Sequence, residues 1–224
     1  MTAIPVYVAF PVSERLRANV EAFVAAVAQD PAANHQQKLD AITDDFINEL
    51  LKAFFDGPVE ALGVRGGMAR VINGVVSVIN KSARAMVGRV FRKVTAEEQQ
   101  ALARHFSGIQ LDVDGRAYSG FPLDPEMANE AALMFESFRE GDGDPDQLRR
   151  VMRGIVDGAI EHFLDRSVAC VRSGALTRGM VTTGRATIAK AAHSALEKTL
   201  PGMHPAHRKP VLGYFEEMLL EVAA

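Results

Sequence analysis

The chain has 224 residues, of which 48% are hydrophobic and 24% are charged, a balance that excludes a disordered or fibrous protein. The net charge is only −3, and the single cysteine, Cys170, excludes an internal disulfide and a zinc site built from cysteines. The longest segment without Asp, Glu, Lys or Arg, residues 1–13, is too short to span a bilayer and has no basic leader. We therefore expect a cytoplasmic protein.

The first elements are predicted from prolines, caps and apolar spacing. Residues 4–11 should form an extended arm, because Pro5 and Pro11 disfavour a helix. Ser13 is positioned to cap a helix that ends at Gln29. A second helix is predicted for residues 36–55, and Gly57-Pro58 should end it.

The third helix, residues 68–92, has the most regular pattern. At 100° per residue, one face carries apolar side chains and the opposite face carries arginine and lysine. The apolar face consists of Met68, Val71, Ile72, Val75, Ile79, Met86 and Val90. The basic face consists of Arg70, Lys81, Arg84 and Arg92.

A short β-hairpin is predicted after the next helix. Thr95 and Glu98 have the spacing of a capping box and should open a helix that ends near Phe106. Apolar residues then alternate with polar ones over 109–113, and Asp114-Gly115 favours a two-residue hairpin turn. We predict a hairpin around 109–121, inserted in a helical protein.

The remainder of the chain is predicted to be helical. Helices are expected over 124–140, 145–173, 176–200 and 211–222, separated by glycine and proline. The fold class is therefore all-α, a multi-helix bundle of seven or eight helices with a small inserted β-hairpin. We expect one domain spanning 1–224, with a possible division into two sub-bundles near 107–124.

Charge is unevenly distributed along the chain. Residues 61–96 contain seven basic and no acidic residues, and residues 166–196 contain five basic and no acidic residues. The segments around them are acidic, so pairing with these segments is the simplest role for the basic residues. The candidate binding residues are Arg70, Lys81, Arg84, Arg92, Arg178, Arg185 and Lys190.

Residues 174–196 are rich in glycine, alanine, serine and threonine. Small side chains allow helix axes to approach closely, which predicts a central helix packed on several neighbours. The alternative is that this helix lines a ligand pocket. In that case Arg178, Arg185 and Lys190 would meet an anionic head group.

Catalytic signatures are absent from the sequence. Residues 44–48 resemble the aspartate-rich box of helical prenyl-transferring enzymes, in which paired carboxylates hold Mg²⁺, but no second box is present. An acidic helix face is the simpler interpretation of Asp44 and Asp45. Asp157, Glu161 and Asp165 recur every four residues, so we expect basic partners to relieve their repulsion. No catalytic residue, metal or cofactor is predicted.

Three hypotheses about function remain open. The first is a non-enzymatic helical protein that engages an acidic protein or an amphipathic ligand. The second is an enzyme that acts on an anionic, lipid-like molecule in a cavity between helices. The third is an adaptor on a membrane surface, with helix 68–92 placed apolar side down. Nucleic acid is disfavoured by the net negative charge, and a homo-oligomer is compatible with the sequence.

Overall fold

A computed structural model describes residues 4–62, 67–200 and 205–222, and it confirms a mostly helical fold with a small β element. The helices are α1 (Glu14–Gln29), α2 (Gln36–Leu51), α3 (Gly57–Leu62), α4 (Gly67–Val90), α5 (Ala96–Gly108), α6 (Pro125–Glu140), α7 (Pro145–Ala159), α8 (Arg166–Ala169), α9 (Ala175–Thr199) and α10 (Pro205–Glu216). The strands are β1 (Val6–Pro11), β2 (Gln110–Val113), β3 (Arg116–Pro122) and β4 (Leu219–Glu221). Two π-helical segments, Lys52–Asp56 and Ile160–Asp165, interrupt the helical pattern.

The predicted helix starts are confirmed by their capping contacts. The Ser13 hydroxyl accepts a hydrogen bond from Leu16 N at the start of α1. Thr95 and Glu98 form the predicted capping box at α5, and the Asp124 carboxylate caps α6. Each side chain satisfies a backbone N–H that the first turn of a helix leaves without a partner.

The predicted hairpin is confirmed, but it is part of a larger sheet. Asp114 (φ 52°) and Gly115 (φ 75°) form the turn between β2 and β3, in the left-handed backbone region that such turns require. The antiparallel strand order is β2-β3-β1-β4. The N-terminal segment is therefore a strand paired on both sides. Its prolines do not interrupt the pairing, because Pro5 precedes β1 and Pro11 is its last residue.

The prediction of a C-terminal helix over 211–222 is wrong in its second half. Helix α10 ends at Glu216, and the chain then forms β4 alongside β1. Ala9 N donates to Met218 O at 2.8 Å. The backbone groups on this side of β1 need partners, and this long-range pairing outweighs the local helical pattern.

The prediction that Gly57-Pro58 ends a helix is also wrong. The helical path continues from α2 through the first π segment into α3. In the π segment, Gly57 N donates to Lys52 O, five residues back. The proposed helix over 145–173 likewise divides into α7, the second π segment and α8, and it ends at Ala169.

Helices α4 and α9 form an antiparallel pair. The segment that leads into α9 lies beside the segment that follows α4, because Arg172 N donates to Glu98 Oε1 at 2.8 Å. Further along, Gly184 of α9 faces the side chain of Met86 of α4. The inner side of α4 is buried at Ile72, Ile79, Met86 and Val90, as predicted, whereas Val71 is 41% exposed and Met68 lies outside the described side chains.

An aromatic cluster joins the sheet to the helices. The Phe163 ring lies 5.9 Å from Phe10 of β1, 5.4 Å from Phe121 of β3 and 5.3 Å from Phe46 of α2, measured between ring centroids. The pairs are edge-to-face, the arrangement that aromatic quadrupoles favour. The sheet therefore packs on a continuous helical core. The expected division of the domain into two sub-bundles stays a prediction.

Candidate functional site

A cavity of about 180 Å³ lies among the helices. Its described wall comes from α2 to α5 and α7 to α10, together with both π segments. The larger lining side chains include Phe46, Ile47, Leu50, Phe54, Phe55, Ile72, Ile79, Val87, Phe91, Phe106, Leu148, Met152, Ile155, Ile160, Phe163, Ile188, Leu196, Val211, Leu212 and Phe215. The space therefore lies within the main hydrophobic core of the molecule.

The described wall offers almost no polar contact. It contains no Asp, Glu, Lys, Arg or His, and its only hydroxyls belong to Thr43, Ser167 and Thr199. Thr43 donates to Leu39 O at 2.8 Å, and Thr199 donates to the carbonyl oxygen four residues before it at 2.7 Å. Ser167 likewise donates to Phe163 O at 2.7 Å. Because each hydroxyl proton is already used within its own helix, the wall is chemically apolar.

The lining residues extend along α4. They recur on one face of this helix at Ile72, Ile79, Ala83 and Val87, and they continue at Phe91, just after the helix ends. At a rise of 1.5 Å per residue, these positions extend over about 28 Å. The lining on α9, from Ile188 onward, belongs to the second half of that helix.

Both π segments contribute to the wall. Phe54 and Phe55 come from the first segment, and Ile160, Phe163 and Leu164 come from the second. A π turn contains one more residue than an α turn, so it displaces the side chains that follow from the regular helical positions. Single π turns are frequent at functional sites, and here both described ones meet at the same cavity.

Ser167 on the wall and His105 just behind it form a side-chain pair that resembles catalytic machinery. Ser167 Oγ lies 2.8 Å from His105 Nε2. Ser167 Oγ also lies 2.7 Å from Phe163 O, which can only accept, and with the one serine proton on that carbonyl the histidine nitrogen donates to the serine. A base that activates a serine has to accept that proton instead.

The ionisation of His105 also disfavours catalysis. Burial, together with the charges of Arg166 and His162, lowers its pKa from 6.5 to about 4. A histidine with so low a pKa is a poor base near neutral pH. No described carboxylate hydrogen-bonds to its ring. The pair is therefore better explained as a buried structural contact.

The basic residues predicted on α4 lie outside the cavity wall. Arg70, Lys81 and Arg92 are exposed. Arg84 is partly buried and pairs with Asp44 of α2, while it also hydrogen-bonds to Asn48 Oδ1 at 2.8 Å. For Arg84, pairing with an acidic segment is confirmed.

The basic residues predicted on α9 are also outside the wall. Arg178 and Lys190 are exposed, and Arg185 Nε donates to both carboxylate oxygens of Asp165, at 3.0 and 2.7 Å. The prediction that α9 packs centrally along its length is wrong for its first half. That half is largely exposed on its outer side, because α4 covers it from only one direction.

The paired aspartates of α2 are held apart by different neighbours. Asp45 is buried and accepts from Arg15 Nε at 2.9 Å and from Asn19 Nδ2 at 2.9 Å, both on α1. Asp44 is directed towards Arg84 on α4. The two carboxylates therefore do not share a metal. In the described part of the chain, no three His, Cys, Asp or Glu side chains are grouped as metal ligands.

The acidic residues at four-residue spacing have partners, as predicted. Asp157 contacts His193 Nε2 at 2.8 Å, and Glu161 contacts Arg166 at 2.9 Å. Asp165 pairs with Arg185. The structural interpretation of this ladder as an ion-paired helix is confirmed.

Sequence comparison adds no relative. Comparisons with family models, curated proteins and solved structures found no match. No helix in the described ranges combines the length and the hydrophobicity needed to cross a membrane. Function must therefore be argued from the cavity and from the surface.

Proposed function

We propose that this protein binds an apolar, chain-like ligand in the cavity between its helices. The observation that supports this proposal is an apolar space of about 180 Å³, lined by residues that follow α4 along its length, whose three wall hydroxyls have acceptors within their own helical segments. An apolar cavity of similar size, about 150 Å³, remains free of water and takes up a hydrophobic molecule. The ligand class is a hydrocarbon chain, with any polar end outside the apolar wall.

The energetic cost of an empty cavity supports occupancy. Protein interiors are packed as densely as organic crystals. At roughly 24 cal/mol per Å³, a fully enclosed empty space of this size would cost on the order of 4 kcal/mol, which is an upper bound for a space with an opening. That is a large share of the 5–15 kcal/mol by which a domain is typically stable. A bound chain would restore the missing contacts.

The site favours a binding protein that carries its ligand over an enzyme that converts it. The described wall contains no charged side chain, and the histidine beside its Ser167 has a lowered pKa and an alternative acceptor competing for the serine proton. An enzyme site needs convergent polar groups around the reacting atoms. A binding protein needs only a cavity that complements the ligand in shape and polarity.

The first experiment is native mass spectrometry of the protein as purified, before and after organic extraction. We expect an adduct of one ligand per chain that extraction removes. The extracted protein should then bind dodecanoic acid or dodecanol, displacing an environment-sensitive fluorescent fatty acid. Thermal unfolding should shift upward with ligand, because binding only the folded state stabilises it.

A pair of variants on one helix makes the test specific to the cavity. Ala192→Phe fills the space from a buried lining position, and Ala186→Phe adds the same side chain at an exposed position of α9. We expect the first variant to lose probe binding at least tenfold and the second to bind normally. Ala83→Leu, on α4, provides a second filled variant if Ala192→Phe folds poorly. Equal binding by all variants, or no binding by extracted wild type, would contradict the proposal.

A further inference from the structure

The fold places the two basic blocks of the sequence side by side. One block lies on α4 and the residues that follow it, and the other extends from α8 along α9 to Lys190. These helices are antiparallel neighbours and make the most extensive contact between any two described helices. Segments about 100 residues apart in the sequence thus form one surface, which we call the α4–α9 face.

The α4–α9 face carries positive charge without compensation from its own helices. The exposed basic residues of the two helices and of the segment after α4 are Arg70, Lys81, Arg89, Arg92, Lys93, Arg178, Arg185 and Lys190. Arg185 is paired with Asp165, and Arg178 lies on the same flank of α9 as Arg185, so the other six provide the charge of this face. Helix α4 has no acidic residue, and the first on α9 is Glu197, near its end. The chain as a whole has a net charge of −3, so its other surfaces are acidic. Such an asymmetric distribution orients a protein towards a negatively charged partner.

Exposed apolar side chains lie on the same two helices. In the described ranges six large hydrophobic residues are exposed, and four of them belong to α4 and α9. They are Val71 (41%), Val78 (43%), Leu176 (80%) and Met180 (38%). Exposed positions between them hold small residues such as Gly74, Ser77 and Gly179, so the face can approach a flat surface closely.

We propose that the α4–α9 face docks on an anionic lipid bilayer. Lysine and arginine would contact the phosphate layer, and Leu176 and Met180 would enter the interface. A second copy of the chain is disfavoured because two such faces repel each other. Nucleic acid is disfavoured because the described exposed positions of the face include no aromatic side chain for stacking on bases.

The cavity lies on the other side of the same helices. The inner faces of α4 and α9 provide lining residues such as Ile79, Val87 and Ile188. The broad apolar face of α4 is thus buried in the core, so contact with a membrane involves the basic side and not the apolar one. Docking would place the ligand-binding helices against the bilayer, whose interior contains the apolar chains.

The test is co-sedimentation of the full chain with vesicles. We expect binding to an equal mixture of phosphatidylcholine and phosphatidylglycerol, none to phosphatidylcholine alone, and weakening as salt is raised. The double variant Lys81→Glu/Arg92→Glu should bind about twentyfold or more weakly, given roughly fivefold for each basic residue near an anionic surface. The matched control, Lys38→Glu/Arg116→Glu, makes the same charge change at exposed positions on α2 and β3 and should bind like wild type.

The outcomes separate the possible occupants of the face. Leu176→Ser should reduce the binding that remains at high salt without changing its dependence on charged lipid. Equal loss in both charge-reversal pairs would show an effect of net charge only and would overturn the proposal. Binding to heparin without binding to anionic vesicles would assign the face to an acidic polymer or protein and would also overturn it. The cavity proposal stands or falls separately, because the fluorescent probe is measured without vesicles.

Discussion

Tyr214 of α10 donates its hydroxyl to the backbone carbonyl oxygen of Ala53, in the first π segment, at 2.8 Å. That carbonyl needs an outside donor for a local reason. The Gly57 N–H that would serve it in an α-helix is bonded to Lys52 O, and Pro58, five residues on, has no N–H. A side chain more than 150 positions away thus completes the hydrogen bonding of the helical path beside the cavity.

Tyr214→Phe should destabilise the protein by about 1–2 kcal/mol, because it leaves the Ala53 carbonyl without a donor. The measurement is chemical denaturation of wild type and variant. Tyr118→Phe is the control, since its hydroxyl donates to no described residue. We expect that control to remain within about 0.5 kcal/mol of wild type. Equal stability of the two variants would show that water replaces the tyrosine.

Gly57→Ala should destabilise the protein although alanine is the better helix former. A Cβ at position 57 would overlap the Tyr214 hydroxyl and ring. We expect a loss of about 1–3 kcal/mol from this overlap. Gly74→Ala, on α4, has open space around the new methyl group and should instead stabilise by up to about 1 kcal/mol. Gly57→Ala should cost less in the Tyr214→Ala background than in wild type, because the overlapping ring is gone, and an equal cost in both backgrounds would contradict the steric explanation.

Asp45→Ala should cost about 1–3 kcal/mol, because it removes a buried acceptor of three hydrogen bonds from Arg15 and Asn19. Asp44→Ala is a matched control on the same helix. The Asp44 side chain is 63% exposed, so its pair with Arg84 should contribute less than about 1 kcal/mol. Denaturant midpoints of both variants give the comparison, and a larger loss for Asp44→Ala would refute the assignment.

The low pKa of His105 predicts a loss of stability in acid. Above pH 6.5 the ring is neutral in both the folded and the unfolded chain. As pH falls from 6.5 towards 4, the unfolded chain takes up a proton that the folded protein does not, so the folded state loses free energy. Because the ring is partly solvated, we expect about 1–2 kcal/mol. Unfolding measured from pH 7 to pH 4 should show a smaller loss for His105→Gln, whose amide can still donate to Ser167. Parallel plots of unfolding free energy against pH for wild type and His105→Gln would contradict the assignment of this loss to His105.

Several elements were predictable from sequence because their determinants lie within a few residues. Ser13, Thr95 and Asp124 start helices by accepting hydrogen bonds from backbone groups three positions away. Asp114-Gly115 forms the hairpin turn because both residues adopt the left-handed backbone conformation that this turn requires. The inward side of α4 follows from its own periodicity. The helical fold class and the hairpin could therefore be predicted from the sequence.

Other features depend on contacts between distant parts of the chain. Strand β4 forms because β1 offers unpaired backbone groups. The helical path continues through Pro58 because a π turn and the Tyr214 hydroxyl supply the backbone hydrogen bonds there. The cavity was not foreseen as a specific set of residues, since its lining side chains are also normal core residues. The nearest local signal was Gly57-Pro58, which follows Phe54 and Phe55 after one intervening residue.

The sequence by itself determined where the helices start, which side of α4 is apolar and where the basic residues occur along the chain. These properties depend on local hydrogen bonding and side-chain spacing. The tertiary structure alone decided that α4 and α9 lie together, so that two basic blocks form one surface over the wall of an apolar cavity. Which helices become neighbours depends on how their apolar faces pack with one another, and that is a property of the whole chain.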